Sequence, residues 1–269
     1  MTGAGDGVGE RGERPRYYVA ALGRGLAVLA RFSATRTELT LADIAEAAGV
    51  TSASALRTAY TMTRTGFLIR NPVTKGYRLG PQAVAMGLAS LNAMPLPQLA
   101  EPSLARLRDA GGGTVKLGVP ENDHVVIVSG FRSLRYPAHR SHLGVRMPLF
   151  LGSLGRAILA WQDVGVRSRS VSASAAEWRP TPRTLVATDL RRELEATRRR
   201  GYSFNDQGVT LEHRSVGAPI RRRDGTVIAS VNLSQPTRLV SARQLHERYA
   251  PLVLAAAAEI SSLLPPNAA

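Results

Sequence analysis

The chain has 269 residues, 44% hydrophobic and 5% aromatic, with no cysteine and a formal net charge of +15. That length accommodates one large or two modest domains with cores built mainly from Leu, Val, Ile and Ala. Without thiols, disulfides and thiolate metal or catalytic centres are excluded. The N-terminus has no apolar signal core and no run reaches about 18 apolar residues, so the sequence reads as cytoplasmic, with no membrane partner.

Residues 1–16 are rich in Gly, Arg and Glu and lack apolar periodicity, which predicts a disordered tail whose Arg11, Arg14 and Arg16 can brush a phosphate backbone or stay solvated. Residues 17–82 read as a DNA-reading module. A first helix repeats Leu22, Leu26, Leu29 and Ala30 at helical spacing. Thr40 followed by Asp43 marks the next helix start, Leu41, Ile44, Ala45 and Ala48 form its apolar face, and Gly49 marks its stop. Thr51 or Ser52 caps a further helix that ends at Gly66. Its predicted outer face carries Thr51, Ser52, Ser54, Arg57 and Thr61, polar groups suited to base edges and phosphates in a major groove. Phe67 to Arg70 and Tyr77 to Leu79 bracket a turn-rich loop, and Arg70, Lys75 and Arg78 place cations around that hairpin. Two helices, a tight turn and a basic hairpin are the layout of a winged helix-turn-helix.

Residues 83–97 predict an apolar linker helix with Val84, Met86, Leu88 and Leu91, stopped by Pro95 and Pro97. So apolar a surface calls for a cover, and a second copy of the chain reading a paired half-site supplies one. From 98 to 264 strands alternate with helices. Thr114–Val119 and His124–Phe131 form a hairpin around Glu121-Asn122-Asp123; Ser153–Trp161 and Leu185–Arg200 are helices; Val216–Ile220 and Val227–Leu233 flank Asp224-Gly225; Ser241–Leu264 is a long terminal helix. Residues 265–269 are a short tail. The predicted class is α+β: a winged helix-turn-helix joined by a linker helix to an antiparallel-sheet domain. Residues 1–82 hold 11 Lys and Arg against 6 Asp and Glu, so most of the positive charge lies outside the DNA-reading module and supports nucleic-acid binding only in part.

Four segments carry a family resemblance: Leu22-Gly23-Arg24-Gly25-Leu26-Ala27-Val28-Leu29; Gly66-Phe67-Leu68 leading to Tyr77-Arg78-Leu79-Gly80; Gly152-Ser153-Leu154-Gly155-Arg156-Ala157-Ile158-Leu159-Ala160; and Gly201-Tyr202-Ser203-Phe204-Asn205-Asp206. In that order they resemble IclR-type bacterial transcriptional regulators, nearest the branch that controls aromatic-acid catabolism. The chain departs from the family pattern where Ala55, Thr58 and Ala59 replace larger apolar residues of the recognition helix, each missing methylene being worth about 0.8 kcal/mol; Leu56 and Met62 are the expected compensation.

The resemblance implies a GAF-like effector domain after the linker, a dimer or dimer of dimers, double-stranded operator DNA as partner, and a small organic acid as effector. Carried over by motif, the effector site comprises Ser153, Leu154, Asn205, Asp206, Ser215, Asn232 and Ser234, with Ser215 standing for a frequent Cys and Asn232 for a frequent Ser. Convergent hydroxyl, amide and backbone donors at a helix start suit a carboxylate. Leu117, Met147, Leu149, Phe150 and Leu151 are candidate apolar walls or plain core, and Arg132, Arg135, Arg140 and Arg146 either favour an anion or are solvated surface. Ser153 lacks a G-x-S-x-G frame, Gly23-Arg24-Gly25 lacks a dinucleotide fingerprint, Gly111-Gly112-Gly113 reads as a helix-to-strand connection, and no P-loop occurs. His124, His139 and His142 lack a metal-ligand frame. No catalytic residue, metal or cofactor is therefore expected. The competing readings are a nonspecific basic nucleic-acid binder and a regulator of this type without an effector.

Overall fold

The computed structural model describes residues 17–33, 36–136, 143–176 and 180–266. Arg11, Arg14, Arg16, His139, Arg140 and His142 lie outside these residues. The chain divides into two units, residues 1–89 and 90–269.

The first unit holds helices α1 (Ala20–Leu29), α2 (Leu41–Ala48) and α3 (Ser52–Arg64), strands β1 (Leu68–Arg70) and β2 (Tyr77–Leu79), and most of α4 (Pro81–Asn92). The Thr40 side chain accepts from the Asp43 backbone N–H at 3.1 Å while the Asp43 carboxylate accepts from the Thr40 N–H at 2.8 Å, a reciprocal capping box that starts α2. Gly49 closes α2 at φ 62°, ψ 44°, a left-handed conformation that costs a residue with a Cβ about 1–2 kcal/mol. Its N–H and the apolar contact of Val50 turn the chain into α3, which Thr51 caps. β1 and β2 pair antiparallel, and Leu39 bridges Tyr77, tying the wing to the segment before α2. The core is Val28, Leu39, Ile44, Ala55, Ala59, Met62, Leu68 and Tyr77.

Three expectations change here. Leu22 and Leu26 are exposed, as is Ala30, because this narrow core accepts only the last turn of α1, through Val28 and partly Leu29. Met62 is buried as expected, but Leu56 is 49% exposed and compensates for nothing. Ala55 and Ala59 instead let α3 lie close against α2.

In the second unit Pro95, expected to close a helix, opens one: α5 runs Pro95–Gly111 with Pro95 in its first turn, where a fixed φ and a missing N–H are tolerated. Gly112, at φ 69°, caps it. Six antiparallel strands follow in spatial order β5-β4-β3-β8-β7-β6: β3 (Thr114–Glu121), β4 (His124–Phe131), β5 (Arg146–Pro148), β6 (Ser203–Asp206), β7 (His213–Arg221) and β8 (Val227–Pro236). α6 (Gly152–Leu159), α7 (Val164–Ala176) and α8 (Ala187–Arg200) stand between β5 and β6 in the chain. A terminal helix has a short piece α9 (Ala242–Gln244), a π turn Leu245–Tyr249 and α10 (Ala250–Leu263). β5 and α7 had no sequence signal, the first being three residues long and the second lacking an apolar stripe.

The sheet separates two cores. Val115, Leu117, Val216, Ala218, Val231 and Leu233 pack on one face with α5 and α10, while Val125, Ile127, Leu149, Phe150 and Leu151 pack with α6 and α8 on the other. Leu117 thus belongs to the α5–α10 core and not to a wall beside Ser153. Arg132, Arg135 and Arg146 are exposed, Arg146 paired with Glu121 at 2.6 Å, so they are surface charge.

Candidate functional site

The outward face of α3 is a stripe at helical spacing: Ala53, Leu56, Arg57, Tyr60, Thr61 and Arg64 are all exposed. Of the residues expected there, Thr51, Ser52, Arg57 and Thr61 are exposed and Ser54 is half-buried; Thr51 also starts the helix, its hydroxyl accepting from the Ser54 N–H at 3.5 Å. Thr61 donates its hydroxyl proton back to the Arg57 carbonyl at 3.0 Å and presents outward only as an acceptor. Leu56 and Tyr60 escaped sequence reasoning because an apolar residue in a helix reads as core. Leu22, Leu26 and Met86 border a groove of about 630 Å³ that Arg57 and Thr61 also line.

On the wing, Arg70 is exposed with its guanidinium 5.9 Å from the Tyr77 ring centre, Lys75 donates to the Pro72 carbonyl at 2.8 Å, and Arg78 pairs with Glu38 at 2.6 Å. Hydrogen bonds from Thr74 first and Arg78 second hold the Glu38 carboxyl below its ordinary range, so it remains an anion inside the basic wing. Arg78 is thereby partly neutralised, which leaves Arg70 and Lys75 as the wing's freer cations.

The second unit contains a buried polar face. β8 alternates Ala229, Val231 and Leu233 with Ser230, Asn232 and Ser234, the pattern of a strand with one face in water. Here both faces are buried, because α6 covers the polar one. The Ser230 hydroxyl donates to the Leu154 carbonyl at 2.7 Å and Ser203 donates to the Ser153 carbonyl at 2.5 Å, so sheet hydroxyls hold the first turn of α6. Ser153 in turn donates to Ser215 at 2.7 Å and accepts from the Asn232 amide at 3.3 Å. Strand pairing aligns Thr114, Ser234, Ser215 and Asn205 in one row across four strands, with Lys116 beside Asn232 in the next.

Ser153, Asn205, Ser215, Asn232 and Ser234 are thus gathered on one sheet face, with Leu154 buried next to Ser153. Asp206 is not. Adjacent residues of a strand point to opposite faces, and Asp206 lies 3.1 Å from Arg214 and 3.6 Å from Arg183. The buried Oδ1 atoms of Asn205 and Asn232 have no hydrogen-bond partner among the described residues, and as amide oxygens they can accept from a hydroxyl or other donor. α6 itself has no side-chain cap, leaving its first N–H groups available to an anion.

Three basic residues also belong to this surface. Arg156 is fully buried, donating to the Phe150 carbonyl at 2.8 Å and the Phe204 carbonyl at 3.0 Å; burial brings its pKa down to about 10, opposed by Glu193. Burial also lowers the pKa of Lys116, and it lowers that of His213, to which the charge of Lys116 adds and which Glu212 opposes. Among the described residues no group of three or more His, Cys, Asp and Glu could hold a metal, and no helix is long and apolar enough to cross a membrane.

Comparison with known proteins bears on both units. The model of the IclR helix-turn-helix domain matches residues 21–72, and that of the bacterial transcriptional regulator IclR C-terminal domain matches residues 88–262. The chain belongs to the IclR family. This IclR-family protein is 26% identical to the Pca regulon regulatory protein of Pseudomonas putida over 90% of this chain and 83% of that protein, and 25% identical to the transcriptional repressor IclR of Escherichia coli over 90% and 89%. Among solved structures, an IclR family transcriptional regulator from Brucella abortus matches with a TM-score of 0.80 at 24% identity over 93% of this chain and 95% of that one. An IclR homolog from Microbacterium hydrocarbonoxydans, complexed with 4-hydroxybenzoate, matches with a TM-score of 0.74 at 26% identity over 91% and 98%. The protein is a transcriptional regulator with a DNA-binding helix-turn-helix, and the relatives named are regulators rather than enzymes.

Proposed function

We propose that this regulator recognises operator DNA through α3 and the β1–β2 wing as a homodimer or dimer of dimers in the cytoplasm, and that a small aromatic or short-chain organic acid bound on the polar face beneath α6 changes its operator affinity. Ser52, Arg57 and Thr61 would meet base edges and phosphates, joined by Leu56, Tyr60 and Arg64, while Arg70 and Lys75 would contact the backbone. The uncovered apolar residues Val84, Met86 and Leu88 of α4 support burial against a second copy.

The observation that carries the effector reading is the buried, partly unsatisfied polar cluster of Ser153, Ser215, Asn232 and Asn205, in a chain whose other unit is a helix-turn-helix. The 4-hydroxybenzoate held by the Microbacterium relative suggests the ligand class. A ligand that prefers one arrangement of the dimer biases DNA affinity, and DNA reciprocally biases ligand affinity.

The test is binding of the full chain to the intergenic DNA upstream of its own gene, against an unrelated duplex, at ~150 mM salt, with and without Arg57→Ala. The expected result is preference for the first fragment, weakened about 10- to 100-fold by the substitution. Equal binding to both duplexes, unaffected by Arg57→Ala, would reduce the protein to a nonspecific basic binder.

A further inference from the structure

We infer that Leu56 and Tyr60 of α3 read thymine, forming an apolar step that fits the C5 methyl group which, of the four DNA bases, thymine alone carries into the major groove. The inference rests on the DNA reading proposed above and names the base feature that this surface selects. Residues four apart in a helix lie one above the other on the same face, so Leu56 and Tyr60 adjoin, with Ala53 three residues before Leu56. Leu56 is 49% and Tyr60 65% exposed, Ala53 is exposed too, and none of the three joins Ala55, Ala59 and Met62 in the core of the unit. Leu56 is followed by Arg57 and Tyr60 by Thr61, and one residue turns about 100° around the helix axis. The outward face is therefore split lengthwise: an apolar strip of Ala53, Leu56 and Tyr60 runs beside a polar strip of Arg57 and Thr61, and both end at Arg64.

The two strips make different demands on a duplex. Arg57 suits guanine acceptors or a phosphate. A leucine side chain neither donates nor accepts, so against a G·C edge it would strip water from polar groups without replacing their hydrogen bonds. Against a thymine methyl it removes apolar surface from water on both partners. The Tyr60 ring does the same, while its hydroxyl at the ring tip can bond a phosphate. The apolar strip thus favours thymine and disfavours its competitors at once, which is how a binding surface discriminates.

The experiment measures binding of the full chain to its own upstream intergenic fragment, synthesised with thymine or with uracil throughout, at ~150 mM salt. Uracil is thymine without the methyl group, and an unrelated duplex in both forms is the reference. The proteins are wild type, Leu56→Ala, Leu56→Ala with Tyr60→Ala, and Arg57→Ala, each checked by thermal melting. Wild type should bind the thymine form of its own fragment about 3- to 10-fold more tightly than the uracil form for each methyl contacted, and show no such ratio on the unrelated duplex. Leu56→Ala should shrink that ratio and the double variant bring it close to one, whereas Arg57→Ala should weaken both forms alike and keep the ratio. Equal binding of both forms by wild type, with preference for its own fragment retained, would overturn the inference and leave the DNA reading standing. Variants that keep the wild-type ratio, or weaken both forms equally, would also overturn it, the pair then serving the fold or a contact between copies. Equal binding of own and unrelated duplexes by wild type would overturn the DNA reading, and this inference with it.

Discussion

Gly217→Ala tests whether α6 is clamped onto the sheet as closely as the effector site requires. A Cβ at Gly217 of β7 would lie 2.7 Å from the Ser153 carbonyl oxygen, 3.0 Å from its carbon and 3.1 Å from the Ser203 hydroxyl. The first distance is about 0.7 Å inside the 3.4 Å where ordinary contact begins, and the obstacle is backbone that cannot rotate away. The start of α6 must therefore retreat, although Ser203 and Ser230 tether it to the sheet. Overpacking of this kind costs about 1–3 kcal/mol. In a unit of residues 90–269 each kcal/mol is worth roughly 2–4 °C, so calorimetry of the full chain should show its transition falling by about 2–12 °C. Retreat also draws Ser153 from Ser215 and Asn232, so any acid that stabilises wild type should lose its effect, while DNA binding without ligand stays intact. A transition unmoved within about 1 °C, with ligand stabilisation preserved, would show that α6 is not held at this distance and that the cluster does not depend on it.

Thr40→Ala should cost about 0.5–2 kcal/mol by opening the capping box, seen as a lower melting temperature and weaker DNA binding. Because the backbone N–H and then the hydroxyl of Thr40 hold the Asp43 carboxyl below its ordinary 3.8, with Arg36 adding to the effect, their contribution is present above that pH and lost as pH falls through the folded value. Thr40→Ala removes only the hydroxyl's share, since an alanine there keeps the backbone N–H, so the gap between wild type and variant should narrow without closing in an acid titration below about pH 4. Arg156→Met would leave the Phe150 and Phe204 carbonyls without their donors at about 1–3 kcal/mol each, which chemical denaturation would register as a midpoint shift without a change in slope. Tyr60→Ala, at a side chain 65% exposed, should change stability by less than about 0.5 kcal/mol yet weaken operator binding about tenfold in a mobility-shift assay, if the Tyr60 ring contacts a base edge.

The local events of this fold were readable from residues alone. Thr40 with Asp43, the left-handed Gly49, the Asn122-Asp123 and Asp224-Gly225 turns and the helix start near Ser153 all act within a few residues, so their chemistry is complete in the sequence. Motif order then pointed to the family. Which side of an element is covered depends on chain far away in sequence, and there residue type misleads: Leu22, Leu26 and Leu56 are apolar yet exposed, while Ser230, Asn232 and Ser234 are polar yet buried, the last two having been placed in a site by the family resemblance and not by their own chemistry. Asn205 and Asp206 are neighbours in sequence, and only strand pairing sends one toward Ser215 and the other toward Arg214. Lys116 had no signal at all, since a lysine in a strand reads as solvated until α6 is seen to cover its face. The sequence by itself determined where α2, α3 and α6 and the hairpin turns begin and which family the motifs compose; the tertiary structure alone decided which polar groups lose water together, because desolvation is set by packing between distant segments rather than by local residue type.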